Sequence, residues 1–173
     1  MRKLFVLILI IAGFVLCLHQ AISKGKISSQ TEKNKALIKK MYDCFNTNDW
    51  DKLAAIIAPD FITHTAHPGQ KQGFDGMKAG FADFRAAFPD VHNQPIDLAA
   101  DGNIVMVRGK VKGTQTGAMN GIPPSGKTID IDYFDEWVVK NGKVTELWGI
   151  SDVPKLMEQL GMTNSPSGKK EKE

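Results

Sequence analysis

The chain of 173 residues is long enough for one domain with a sizeable core, and its 42% hydrophobic and 24% charged content is ordinary for a globular protein. The formal net charge of +3 is small and comes from the two ends, so no basic stripe remains and nucleic acid is not expected as a partner. Of the two cysteines, Cys17 lies in an apolar N-terminal run, so only Cys44 would remain after processing and no intramolecular disulfide is expected.

Residues 1–23 have the pattern of a secretory signal. Arg2 and Lys3 form a basic start, and the apolar run from Leu4 to Leu18 is too short for a comfortable membrane span. The pattern predicts export to the periplasm or the medium, with an uncleaved N-terminal anchor as the alternative. Residues 24–30 are polar and predict a linker to a domain at residues 31–162.

Three helices are predicted next. The first begins at Thr31-Glu32, and its apolar stripe recurs at helical spacing. A short second helix begins at Trp50 and ends before Pro59-Asp60. The third covers Phe74–Phe88 and stops at Pro89.

Strands dominate the second half of the chain. Gln94–Ala100 and Ile104–Lys112 predict a hairpin, followed by an irregular segment at residues 113–127. Thr128–Asp152 predicts a second hairpin around Asn141-Gly142, a dipeptide that accepts positive φ at both turn positions. A short helix then closes the domain at Val153–Leu160, and residues 163–173 have the composition of a disordered tail. This order predicts an α+β fold, with helices packed on one face of a curved antiparallel sheet and a concave pocket between them.

One carboxylate does not fit the predicted core. Side chains alternate faces along a strand, and the odd positions of the first strand of the second hairpin form its apolar face. Asp135 lies in the middle of that face, between Tyr133 and Trp137. A lone carboxylate is costly to bury unless it is paired or protonated, so this position predicts either a site with a raised pKa or a structural ion pair with Arg108.

A series of short motifs occurs in a fixed order along residues 32–161. The motifs are Asn46-(x)3-Trp50, Ala58-Pro59-Asp60-Phe61-(x)2-His64, Phe88-Pro89-Asp90, Ala100-Asp101-Gly102, Gly113-Thr114-Gln115-Thr116-Gly117, Gly121-Ile122-Pro123, Asn141-Gly142-Lys143-Val144, Glu146-Leu147-Trp148 and Gln159-Leu160-Gly161. Together they resemble the SnoaL-like polyketide cyclase family, also called ester cyclases. The resemblance implies the cone-shaped α+β barrel of the nuclear transport factor 2-like superfamily.

The same resemblance implies a function. It implies a deep apolar pocket for a small hydrophobic, polyketide-like ligand, and aldol-type acid/base chemistry with no metal and no cofactor. The family's catalytic aspartate position is Gly149 here, and the position of its supporting histidine is Asp135. Asp152 matches a further acidic position of the family. An exposed sheet face in this fold also implies a homodimer.

The candidate site residues follow from both arguments. Asp135 would exchange the proton, while His64 and Arg108 would polarise a carbonyl group. The alternatives are a core histidine at His64 and a helix cap at Asp152. The predicted lining of the substrate pocket comprises Trp50, Phe84, Phe88, Met119, Tyr133, Trp137, Trp148 and Asp152. The alternative function is a non-catalytic ligand-binding or interaction domain of the cell envelope.

Overall fold

The computed structural model describes residues 29–66, 69–119 and 121–162. The predicted signal segment at residues 1–23 and the predicted tail at residues 163–173 lie outside these ranges. Within them, no helix combines the length and the apolar character that crossing a membrane requires.

Four helices accompany the sheet in the described part of the chain. The helices are α1 (residues 29–47), α2 (Trp50–Ile56), α3 (Gly73–Ala87) and α4 (Val153–Leu160). Asp49 caps α2 by accepting a hydrogen bond from the backbone N–H of Lys52, and Gly161 ends α4 in the left-handed conformation with φ 78°. The three N-terminal helices and the closing helix therefore occur where the sequence predicts them.

Five strands form one sheet in the order β1-β5-β4-β3-β2. They are β1 (Ile57–Thr63), β2 (His92–Asp101), β3 (Ile104–Thr114), β4 (Thr128–Lys140) and β5 (Lys143–Ser151). The β4–β5 turn has φ 52° at Asn141 and 74° at Gly142, as its sequence predicts. The predicted α+β class is confirmed. The sheet, however, is mixed, because β1 pairs with β5 in parallel while the other neighbours are antiparallel.

The segment after α2 differs from its prediction. The apolar run was expected to continue the helix to Pro59, but α2 ends at Ile56 and β1 begins at Ile57. Proline is tolerated here because β1 is an edge strand of the sheet, where one ladder hydrogen bond can be missing. The β1–β5 pairing is accordingly irregular between Ile57 and Ile62.

The core lies between the inner face of the sheet and the helices. The inner positions of β3 and β4 include Val105, Val107, Ile129, Ile131, Tyr133 and Trp137, all of them buried. They pack with apolar side chains of α1, such as Ile38 and Met41. The outer face has no helix against it in the described part of the chain. It carries the exposed side chains Ile104, Met106, Phe134, Trp148 and Ile150.

Candidate functional site

Asp135 lies on the inner face of the sheet, as its odd position in β4 predicts. Its cross-strand partners are Val107 on β3 and Gly149 on β5. Both neighbours are uncharged, and Asp135 itself is only partly exposed. The carboxyl group is therefore held at the centre of the sheet without a cation beside it.

A tyrosine from α1 holds this carboxyl group. The Tyr42 hydroxyl donates a hydrogen bond of 2.5 Å to Asp135 Oδ2, and Trp137 Nε1 donates one of 3.0 Å to the Tyr42 oxygen. Burial raises the pKa of Asp135 from 3.8 to about 6, and the hydrogen bond from Tyr42 acts in the opposite direction. Burial also raises the pKa of Tyr42, so the hydroxyl stays a donor. The arrangement gives a carboxyl group that titrates near neutrality.

The two oxygens of this carboxyl group have different surroundings. Oδ2 is held by Tyr42, whereas no hydrogen-bond donor among the described residues reaches Oδ1. Oδ1 lies beside Gly149, where a β-carbon would come within 2.7 Å of it. A side chain at position 149 would therefore collide with the carboxyl group of the neighbouring strand.

A second tyrosine lies beside the first. The Tyr133 ring stacks on the Tyr42 ring with 5.8 Å between centroids, and its buried hydroxyl has no hydrogen-bond partner of acceptable geometry in the described chain. A β-carbon on Gly109 would lie 2.3 Å from Tyr133 Cζ, so the ring needs a glycine beneath it. Burial raises the pKa of Tyr133 as well. Tyr133 and Trp137, both predicted as pocket lining, lie on either side of Asp135 on the inner face of β4 and are buried in the core.

Arg108 does not lie near Asp135. The β3–β4 register pairs Arg108 with Phe134, so its side chain projects from the outer face. There its guanidinium group binds the Asp97 carboxylate, with Nε at 2.8 Å and Nη2 at 2.5 Å. The predicted roles of Arg108, as a carbonyl-polarising group or as the ion-pair partner of Asp135, are both corrected, because adjacent strand positions point to opposite faces.

His64 is also outside the site. It follows β1, and its ring stacks flat on Trp148 with 3.7 Å between centroids. His64 Nε2 lies 3.0 Å from Glu146 Oε2 on the outer side of the sheet. Neither the predicted pocket role of His64 nor its alternative as a core histidine describes this exposed position.

The prediction that Trp148 lines the substrate pocket is wrong for a related reason. A register shift between Val138 and Val139 adds one residue to β5, so that Val144 faces the core while Glu146 and Trp148 face outward. The sequence had placed all three on one face. Trp148 is 39% exposed and contacts His64 rather than the interior.

The other predicted lining residues are spread through the core. Trp50 packs edge-on against Phe45, Phe74 and Phe81 in the helix layer, and Phe84 packs on Phe88. Met119 lies in the segment after β3, where it bridges to Ile122. Asp152 accepts a hydrogen bond from the backbone N–H of Lys155 and so is the N-cap of α4, which was its predicted alternative.

Neither of the two best-formed clefts of the described structure is the deep pocket predicted next to Asp135. One cleft lies between α2, β1 and the start of α3, and a second of about 490 Å³ lies between α1 and β2. Neither is lined by Asp135. The carboxyl group lies between Tyr133 and Trp137 on the inner face of β4, against the Tyr42 hydroxyl.

No metal site accompanies this carboxyl group. Nowhere in residues 29–66, 69–119 and 121–162 do three or more His, Cys, Asp or Glu side chains converge in the manner of metal ligands.

Tyr42 is not among the site residues that the sequence analysis predicts. A usable signal existed, because Ile38, Met41, Tyr42 and Phe45 share one helical stripe and α1 was predicted to face the sheet. A tyrosine on such a stripe brings a hydroxyl group into the core, where it needs a partner.

The chain is similar in sequence and structure to known proteins. The family model of the SnoaL-like polyketide cyclase matches residues 35–160. TsrD from Streptomyces laurentii is similar in structure, with a TM-score of 0.70 and 23% identity over 76% of this chain and 97% of its own. IdmH from Streptomyces antibioticus, a candidate polyketide cyclase, has a TM-score of 0.67 and 27% identity over 74% and 98% of the two chains.

A candidate polyketide cyclase from Bacillus cereus is similar at 28% identity, with a TM-score of 0.66 over 75% of this chain and 81% of its own. Among curated proteins, none matches the chain.

Proposed function

Because the chain belongs to the SnoaL-like polyketide cyclase family, we propose that it binds a small hydrophobic carbonyl compound and exchanges a proton with it through Asp135. The observation that carries the proposal is the carboxyl group buried against Tyr42, with burial raising its pKa to about 6. A general base is most effective when its pKa lies near the working pH. No metal and no cofactor take part in the proposed chemistry.

The reaction class follows from the groups present. A carboxylate in apolar surroundings can remove a proton from the carbon next to a carbonyl group, which gives an enolate, and can return it at another atom. The result is an isomerisation, or a ring closure if the enolate attacks a second carbonyl of the same molecule. Tyr133 and Trp137 lie on either side of Asp135 on the inner face of β4, and flat rings of this kind would suit a planar ligand.

The proposal is tested with the full chain and a panel of aromatic and polyketide-like methyl esters. Compounds that raise the melting temperature bind the folded state. Each binder is then incubated in D2O, and exchange of its α-hydrogen is followed by NMR. We expect Asp135→Asn to slow this exchange by at least about 100-fold, because general acid/base catalysis typically accelerates a reaction by at least this factor. Exchange at the wild-type rate in Asp135→Asn would contradict the proposal.

Two observations favour a second candidate, a binding domain without catalysis. Gly149 stands where the family resemblance places the catalytic aspartate, and neither cleft reaches Asp135. In that case binders would raise the melting temperature equally in the wild type and in Asp135→Asn, and the wild type would exchange no α-hydrogen. The same two measurements therefore separate the two functions.

A homodimer through the outer sheet face is proposed as part of this function. Met106, Phe134 and Ile150 are 44%, 48% and 66% exposed on neighbouring strands, a patch of the kind that usually marks an interface. Several charges around them are paired within the chain, as in Arg108–Asp97 and Lys140–Glu146. A largely apolar surface of this kind suits a second copy of itself.

Phe134→Glu is expected to convert the dimer to a monomer, because two carboxylates would be buried opposite each other at the centre of a two-fold interface. The molar mass by light scattering would fall by half. Ala36→Glu, on the exposed surface of α1, is the matched control and should stay dimeric. A wild type that is monomeric at all concentrations would rule this interface out.

We also propose export, on the basis of the pattern in residues 1–23. Full-length chain expressed in a bacterial host should be recovered from the periplasm or the medium in a shortened form. Recovery at full length with the membranes would favour the anchor instead, and retention in the cytoplasm would contradict both.

A further inference from the structure

The two oxygens of the Asp135 carboxyl group differ in what they can do. Oδ2 is occupied by a hydrogen bond of 2.5 Å from Tyr42, whose own oxygen is fixed by the Trp137 N–H at 3.0 Å. Oδ1 receives no hydrogen bond from the described residues and lies over the bare backbone of Gly149. Oδ1 is therefore the oxygen of this carboxyl group that the described residues leave without a hydrogen bond.

We propose that Asp135 Oδ1 is the atom that exchanges the proton, and that Tyr42 and Gly149 position it, the first by holding Oδ2 and the second by leaving room for Oδ1. The inference rests on the proposed function. Asp135 is the catalytic residue in this scheme, whereas Tyr42 and Gly149 act only through it.

The proton transfer balances at this atom. The α-C–H bond of the ligand breaks, its proton forms an O–H bond at Oδ1, and its electron pair forms the enolate double bond while the carbonyl π pair moves to oxygen. In the second step of the exchange the Oδ1–H bond breaks and the proton returns to the ligand carbon. Tyr42 keeps its proton throughout, because burial raises the pKa of its hydroxyl.

Gly149 has a steric role in this arrangement. A β-carbon at this position would lie 2.7 Å from Oδ1, closer than such carbons come to an oxygen without a shift of one of them. The carboxyl group would have to rotate, and the hydrogen bond from Tyr42 to Oδ2 would be strained or lost. The glycine thus allows the acid to be supplied from β4 rather than from β5.

Tyr42→Phe tests the first positioning residue without any ligand. The hydrogen bond from Tyr42 favours the ionised carboxylate, so its removal should raise the Asp135 pKa by about one pH unit above its present value of about 6. The carboxyl carbon of labelled aspartate reports this by NMR titration of the full chain. The acid limb of the α-hydrogen exchange profile should move to higher pH by the same amount.

Tyr133→Phe is the matched control. It removes the same group from the adjacent stacked ring, but the Tyr133 hydroxyl makes no hydrogen bond to the carboxyl group. The Asp135 pKa should stay where it is in this variant. An Asp135 pKa that is unchanged in Tyr42→Phe, or changed equally in both variants, would overturn the positioning role of Tyr42.

Gly149→Ala tests the role of Gly149 as the second positioning residue. We expect α-hydrogen exchange to slow by at least about tenfold, since small misplacements of a reacting group cost this much or more. Gly80→Ala, where the new β-carbon meets nothing closer than 3.5 Å, is the control. Wild-type exchange in Gly149→Ala would overturn the steric role. If no binder exchanges hydrogen in the wild type, the proposed function fails while the ligand-free titration of Tyr42→Phe still decides the positioning.

Discussion

Asp135→Asn is expected to stabilise the protein by about 2 kcal/mol near pH 8 and to leave its stability almost unchanged near pH 4. The folded chain keeps the Asp135 proton up to a pKa of about 6, whereas the unfolded chain releases it near the ordinary value of 3.8. Between these values the folded state binds more protons, so the free energy of unfolding falls as the pH rises. Asparagine keeps the shape and cannot ionise.

The magnitude follows from the same two values. The difference between 3.8 and about 6 corresponds to about 3 kcal/mol above pH 6. Part of this gain is offset, because the asparagine N–H2 group would replace Oδ1, for which the described chain offers no partner. Below the lower value both forms are neutral, so the gain disappears and only the small cost of the unpaired N–H2 group remains.

Urea denaturation at several pH values measures this effect. Asp97→Asn is the control, because Asp97 is exposed on the outer face and such substitutions usually change stability by less than about 0.5 kcal/mol. A loss of stability in Asp135→Asn that is the same at every pH would identify the carboxyl group as a structural partner of Tyr42. A gain that grows with pH is typical of a residue kept for function at a cost in stability.

The inward position of Asp135 was predictable from the sequence. Asn141-Gly142 sets the β4–β5 hairpin, and strict alternation along β4 then places every odd residue on the inner face. The prediction needed only local rules, because no irregularity interrupts β4 between Thr128 and Val138.

Other parts of the site depend on features that the alternation of side chains along a strand does not reveal. The register shift after Val138 reverses the faces of Glu146 and Trp148, although no glycine or proline marks it in the sequence. The parallel pairing of β1 with β5 joins segments about 85 residues apart and so is set by the tertiary fold. That pairing carries His64 to the outer side. The partner of the Tyr42 hydroxyl could not be predicted from local rules, because it lies 93 residues away.

The aromatic surroundings of Asp135 depend on a glycine on β3, and Gly109→Ala is expected to destabilise the protein by about 3 kcal/mol. The new β-carbon would lie 2.3 Å from both Cζ and the hydroxyl oxygen of Tyr133. The Tyr133 ring cannot move away freely, because it is 4% exposed and stacked on Tyr42. The clash should therefore be transmitted to the tyrosine that holds the carboxyl group.

A double-mutant cycle isolates this contact. In a Tyr133→Leu background the aromatic obstacle is gone, so Gly109→Ala should cost less than about 1 kcal/mol by urea denaturation. Gly80→Ala in the exposed part of α3 should be neutral or stabilising, as alanine is favoured over glycine within a helix. An equal cost of Gly109→Ala in both backgrounds would mean that the strand backbone, and not the Tyr133 ring, requires the glycine. In that case the packing of Tyr133 would not be what keeps Tyr42 in place against Asp135.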